Sequence, residues 1–287
     1  MSRSLATATA VAVVCLPLLA ACGDDGPEAG DKPVIEVTET GAEPRSSFAY
    51  DVEVGHTETT TMVLDQRIDA GQVADSPPIE FVLSTEVTEV TDDEITAVTT
   101  YTDARVTDDD DPTAAQVESA IEPMVGYRTT TTFSRLGELV DSESEIPAGV
   151  TGQAREMLEQ LGSQSESLTV AYPDEDLGVG ATWTATNVLE LNGIEVEQTA
   201  RYELVSFEGE EYEISVEVTQ EYRPGDADGF EVTSGDGRTT GTISGTTGSL
   251  FPASSESRGS TSVDVEAGGQ SQTVTTDTEV SVTTEVG

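Results

Sequence analysis

Lysine occurs once in this chain, at Lys32, histidine once, at His56, and tryptophan once, at Trp183; cysteine occurs only at Cys15 and Cys22. Each scarcity excludes something. One histidine cannot build a zinc centre of several nitrogen ligands. It also leaves His56 as the sole base for a serine or cysteine triad. No Gly-x-Ser-x-Gly segment stands near it, so His56 is expected to be an ordinary histidine on a threonine-rich surface strand. Aromatics make up only 5% of the 287 residues, which argues against the aromatic platforms of a glycosidase. Bases are few: Lys and Arg number 12 against 56 Asp and Glu, a formal charge of −44. That field repels nucleic acid and anionic headgroups and favours solubility. Apolar residues still reach 36% and alternate in long runs, so the chain is read as folded rather than as an acidic disordered polymer.

The N-terminus carries a short positive stretch (Arg3), then an apolar run over residues 5–19, then Leu19-Ala20-Ala21-Cys22-Gly23. The run is too short for a spanning helix of about 20 residues and contains Pro17. Small residues before a cut are what a signal peptidase accepts. With cysteine at the cut, Leu-Ala-Ala-Cys resembles the lipobox of bacterial lipoproteins. The resemblance implies removal of residues 1–21, a diacylglycerol on the Cys22 thiol, acylation (palmitate) at the new N-terminus, and residence on the extracytoplasmic face of the cell membrane. Two or three acyl chains anchor stably where one does not. Cys15 leaves with the signal, so no intramolecular disulfide is expected. Residues 22–46 are read as the lipidated cysteine and a flexible acidic tether, because Gly, Pro, Asp and Glu dominate residues 23–33.

Residues 47–287 are read as one β-rich domain. Tyr212, Ile214, Val216 and Val218 alternate with polar residues, as do Ile194, Val196, Ala200, Tyr202 and Leu204 before them. Asn192-Gly193 is a hairpin signal between two such runs, and Glu208-Gly209 marks the next turn. Residues 182–222 therefore predict a three-stranded antiparallel meander. An earlier group, 48–69, 79–83 and 95–106 with an Asp92-Asp93 turn, has the same pattern. Strands 230–233, 239–250, 260–266 and 273–286 follow, with turns at Asp236-Gly237 and Gly268-Gly269. Two short helices are predicted. One starts at Asp111-Pro112-Thr113, carries Val117, Ala120, Ile121 and Met124 on one face, and ends or kinks at Pro123. The other covers 150–161, with Val150, Ala154, Met157, Leu158 and Leu161 on one face and Gly162 as cap. The fold class is mainly β (α+β): a large curved antiparallel sheet with two short helices on one face. A duplicated unit, 48–147 and 182–286, is compatible with the pattern.

Candidate chemistry is thin. Trp183 enters a strand after Gly178-Val179-Gly180 and is read as a core anchor, with a ligand platform as the alternative. Gly178-x-Gly180 lacks the third glycine and the helix of a dinucleotide loop, and no cofactor is expected. Asp108 and Asp110 before the first helix, and Asp226 and Asp228 in a Pro-Gly-Asp-Ala-Asp-Gly turn, are weak calcium candidates; calcium needs six to eight oxygens in place, and solvated turns are the ordinary reading.

Residues 48–223 resemble a family of uncharacterised bacterial secreted lipoproteins with a β-rich domain. The resemblance rests on the opening meander, the helix, Phe133-Ser134-Arg135-Leu136-Gly137-Glu138, Tyr172-Pro173 and Val179-Gly180-Ala181-Thr182-Trp183; it implies no activity. The layout is more remotely similar to lipid-carrier lipoproteins, in which a curved sheet wraps helices around an apolar cavity. From this, the expected function is a non-catalytic binding or carrier module for an apolar or small ligand. Val117, Ile121, Met124, Met157, Leu161 and Trp183 are its candidate ligand-binding residues, and a cell-envelope component is a candidate partner. The alternative is a structural or adhesive surface protein; an enzyme is the least supported class.

Overall fold

The computed structural model describes residues 34–108, 110–151, 155, 172–191, 193–227 and 230–287. Polar-apolar alternation produces strands throughout, since a period of two puts one face of each strand in the core. The strands are β1 (Val34–Thr40), β2 (Thr57–Asp69), β3 (Val73–Asp75), β4 (Ile79–Val90), β5 (Glu94–Val106), β6 (Arg128–Ser134), β7 (Leu139–Glu145), β8 (Ala181–Leu191), β9 (Ile194–Glu208), β10 (Glu211–Tyr222), β11 (Gly225–Ala227), β12 (Phe230–Thr246), β13 (Ser254–Ala267) and β14 (Gln270–Val286). All join one antiparallel sheet in the order β1-β8-β9-β10-β12-β13-β14-β2-β4-β5-β6-β7, with β11 on β12 and β3 on β2. The strands from β2 to β7 and from β8 to β14 run as two meanders that meet where β14 pairs with β2, and β1 adds to the β8 edge.

The sheet curves back over its own inner face. A single apolar cluster joins Val87, Ile95 and Ala97 of β4 and β5 to Trp183, Tyr202 and Ile214 of β8, β9 and β10, although these strands lie far apart in the sheet order. Two non-strand segments fill the space between them. Residues 48–52 insert Phe48, Tyr50 and Val52, and residues 172–177 insert Tyr172 and Leu177. Phe48 packs on Tyr172 and Phe207 with ring centroids 5.3 and 4.5 Å apart. Strand β12 supplies much of the bend. Its inward positions include Gly235, Gly237, Gly241 and Gly245, and their cross-strand partners on β10 are Tyr222, Gln220, Val216 and Tyr212. Side chains from β10 lie across the bare backbone. A Cβ on Gly245 would stand 2.7 Å from the Tyr212 hydroxyl, and one on Gly237 2.8 Å from Gln220 Oε1. Glycine in a strand marks such close coverage and permits a corner.

One α-helix is present among the described residues, α1 (Ala114–Ile121), continued by a 3-10 turn, Glu122–Met124. Its start differs from the expectation. Thr113 occupies the cap position, while Asp111 Oδ1 accepts from the Thr113 amide at 2.7 Å and hydroxyl at 2.6 Å, building a turn one step earlier. Pro123 sits within the 3-10 turn, where its missing N–H costs nothing. The second expected helix, 150–161, lies outside the described residues except for residues 150–151 and Arg155, which is helical.

The predicted meander is present as β8, β9 and β10. Three other expectations are corrected. Val34–Thr40 is a strand paired with β8, so the sheet, and not a tether, holds residues 34–40 of the 22–46 segment. Residues 48–53 lie outside the ladder, and a turn at Val54-Gly55, with Gly55 at φ +88°, separates them from β2; Phe48, Tyr50 and Val52 are buried without strand pairing. Asp236-Gly237 is not a turn: β12 runs unbroken through it, because Gly237 serves as an inward space for Gln220.

Candidate functional site

The apolar residues expected to line a ligand cavity separate into two clusters. Ile121 and Met124, with Val117 beside them, pack against Met62, Leu64, Phe81, Leu83 and Tyr101. Because α1 follows β5 directly, these residues stay over the first half of the sheet. Trp183 belongs to the other cluster, fully buried and stacked on Tyr202 at 5.1 Å. Met157 and Leu161 lie outside the described residues. Helix and sheet close on one another around Ile121 and Met124 as an ordinary core.

The inner face holds a feature of different chemistry. Directly paired residues of an antiparallel sheet share a face, and the register places Asn187, Gln198, Gln220, Gly237, Thr261 and Thr276 in one row across β8, β9, β10, β12, β13 and β14. The row beside it runs Ala185, Ala200, Val218, Thr239, Gly259, Thr278 and Gln66. Asn187, Gln198, Gln220, Gln66 and Thr239 are buried. Gln220 Nε2 donates to Gln198 Oε1 at 3.1 Å. Asn187 Oδ1 and Gln66 Nε2 have no hydrogen-bond partner among the described residues, although buried polar groups are nearly always paired. This amide belt runs between an apolar cluster containing Trp183, Ala200 and Val218 and a second one containing Ile194, Val196, Tyr222 and Val232. It is buried at β8–β10 and half-open at β13 and β14, where Gly259, Thr261, Thr276 and Thr278 are partly exposed. Sequence inspection missed it, yet a signal was there. Gln66, Gln198 and Gln220 each occupy an apolar phase of an alternating strand, next after Leu64, Val196 and Val218.

His56 is not the free surface histidine expected. Its Nε2 lies 2.7 Å from Oε1 of Glu58, whose side chain is 0% exposed. Glu58 also accepts from the Leu250 amide at 2.7 Å and the Phe251 amide at 3.1 Å. A buried carboxylate is costly unless so surrounded, and this one ties β2 to the loop between β12 and β13. Through these contacts the pair has the form of a structural clamp. A cluster of phenols lies nearby: Tyr172 stands between Tyr50 and Tyr212, with ring centroids 5.6 and 6.0 Å away. Burial first, then the neighbouring phenols, pushes the Tyr172 hydroxyl well above its ordinary pKa. Burial likewise raises Tyr212, with the Glu58 charge adding to the effect.

The motif residues of the 133–138 turn prove architectural. Arg135 donates to the carbonyls of Tyr50 at 3.1 Å and Thr91 at 2.9 Å. The Arg135 and Leu136 carbonyls accept from the amides of Tyr50 and Tyr172, both at 2.8 Å, so the turn fixes both inserted segments. The aspartates offered for calcium are scattered. Asp108 and Asp110 are exposed in the turn before α1, Asp226 is on β11, and Asp228 lies outside the described residues. No group of three or more His, Cys, Asp or Glu converges as a metal site would among the described residues. An open cleft of about 610 Å³ lies at the β1 edge, lined by residues 37–42, Val179 and Gly180. Cys22 is outside the described residues.

Residues 157–249 match a family of unknown function (DUF6263). That segment covers β8 to β12 and most of the amide belt. No curated protein matches the chain. Among solved structures, a crystal structure of an outer membrane channel from Pseudomonas putida F1 aligns over 84% of this chain and 99% of its own, at 9% identity and a TM-score of 0.21. A TM-score of that size carries no argument about fold or function. No helix among the described residues is long and apolar enough to cross a membrane.

Proposed function

We propose that the protein is a lipid-anchored, extracytoplasmic, non-catalytic binding module, tethered through Cys22 and taking a small ligand on the inner face of its curved sheet. The observation that supports this reading is the amide belt, where two buried polar atoms, Asn187 Oδ1 and Gln66 Nε2, stand unpaired among the described residues. Leaving such a group unmade costs about 1–3 kcal/mol, a cost that a bound ligand would offset. The apolar-carrier form of the idea has less support, because the helix face around Ile121 and Met124 is spent on the core. The anchor rests on the Leu-Ala-Ala-Cys segment. Two experiments test the two parts. Cys22→Ser should abolish incorporation of a fatty-acid analogue and release the protein from the membrane fraction; persistent labelling would refute the anchor. Native mass spectrometry of the protein purified from membranes should reveal a co-purifying ligand mass, and a protein that is empty and binds nothing would refute the module.

A structural or adhesive surface role is the second reading. It is favoured by β13 and β14, whose outward residues are exposed and whose inward residues are mostly only partly buried. Such long, half-exposed strands suit a surface element. Rigid assembly with no ligand, but with loss of cell–cell or cell–matrix attachment on deletion of the gene, would support it over the binding module.

A further inference from the structure

We propose that the amide belt is a site for a neutral, polyhydroxylated ligand, an uncharged oligosaccharide. The inference rests on the binding-module reading and names its ligand class. The argument begins with charge. Acids number 56 in 287 residues, yet the two rows of the belt, from Asn187 to Ile68 and from Ala185 to Gln66, contain no acid and no base. A cation would find no carboxylate there. An anion would find no base, within a molecule of net charge −44. What the belt offers is side-chain amides and threonine hydroxyls, groups that both donate and accept. Sugar hydroxyls do the same, so each can satisfy an unpaired acceptor such as Asn187 Oδ1 and an unpaired donor such as Gln66 Nε2.

A peptide fits less well. Peptides bind sheets by adding to an edge, where backbone groups are free; the belt lies on a face, where the ladder consumes them. Access is from the β13–β14 side, where Thr261 and Thr276 are partly exposed. Gly237 keeps the middle of the row low, so that Gln220 and Thr261 converge over its backbone. In the adjoining row Tyr222 supplies an aromatic flank.

The test uses the protein purified in a sugar-free detergent and titrated with tetra-N-acetylchitotetraose and, separately, maltotetraose, by calorimetry and by fluorescence. Trp183, the sole tryptophan, is four residues from Asn187 on the same face of β8 and serves as reporter. Saturable binding of at least one sugar is expected. Asn187→Leu and Gln220→Leu should weaken it at least tenfold. Thr261→Val, at a half-exposed position, should weaken it severalfold without moving Tm, which keeps the test decisive if the buried variants fail to fold. Failure of both sugars to bind overturns the proposal, as does binding unchanged in Thr261→Val and Asn187→Leu. If native mass spectrometry instead finds a lipid or peptide, the saccharide inference falls while the binding module stands; an empty, non-binding protein removes both.

Discussion

At the scale of single residues, the molecule spends its scarce chemistry on holding itself together. His56 and Glu58, two positions apart at the start of β2, make a clamp that reaches the Leu250 and Phe251 amides. Glu58→Leu should leave both amides without an acceptor in the core. At about 1–3 kcal/mol per buried unsatisfied group, urea denaturation should show a loss of roughly 2–5 kcal/mol. Glu58→Gln keeps an acceptor oxygen and should cost clearly less; equal losses would show that the interaction is only packing. These residues show what sequence reading could and could not see. Trp183 was recognisable as an anchor because a large aromatic after a glycine turn has few other uses. His56 was not recognisable as a partner. Its acid is two positions away, and that acid turns toward a loop almost two hundred residues further on, 192 positions from Glu58 to Leu250. Pairings across such distances leave no local periodicity.

At the scale of elements, alternation was a good guide to the β8–β10 meander and a poor guide to pairing between distant strands. Strands β8, β9 and β10 were legible from period-two runs and from glycine turns such as Gly193 and Gly209, at φ +83° and +68°. The inserted segment 48–52 alternates equally well and is no strand, because burial without a ladder produces the same pattern. The amide belt was present as polar residues in apolar phase, but only the register brought three glutamines and an asparagine to one face. One glycine near β1 makes a sharper point. Gly178 donates to the Thr40 carbonyl at 3.0 Å, and Ala42 donates to the Val179 carbonyl at 2.9 Å. The two backbones nearly touch. A Cβ on Gly178 would stand 1.8 Å from the Ala42 carbonyl oxygen. Gly178→Ala must therefore displace the junction of β1 with β8 and should lower stability by several kcal/mol, about 3 or more. Gly209→Ala has open space around its Cβ and meets only the positive-φ penalty of about 1–2 kcal/mol. Paired melts of the two variants measure this difference; a smaller loss for Gly178→Ala would contradict the close approach.

For the whole molecule, two bulk properties set the response to solution conditions. With 56 acids against 12 bases, self-repulsion opposes compaction, and salt screens it over about 8–10 Å. Tm should rise between low and molar NaCl; a flat or falling response would place the repulsion elsewhere. The second property is the set of buried phenols. Burial pushes Tyr101 up to about 12, with Tyr127 adding to it, and raises Tyr127, Tyr172, Tyr202 and Tyr212 as well. An unfolded phenol loses its proton near 10, whereas these keep theirs while folded. Their contribution to stability is therefore complete below pH 10 and is lost as pH rises from about 10 to 12 and beyond. Absorbance of tyrosinate at pH 11 should be lower in the native protein than in guanidinium; superimposed titrations would deny the burial. Last, β14 and β2 form the seam between the halves, and Thr60 bonds Thr284 across 224 positions of chain. On a ribosome or a translocon, β2 is made early and its neighbour on that side arrives only after nearly all the rest. Until then the strand holds Met62 and Leu64 beside an open hydrogen-bonding edge, the state in which nascent sheets find the wrong companion. Synthesis of this protein thus calls for something that shields an unfinished edge, and a stalled or prematurely ended chain would be a substrate for proteases rather than a smaller version of the fold.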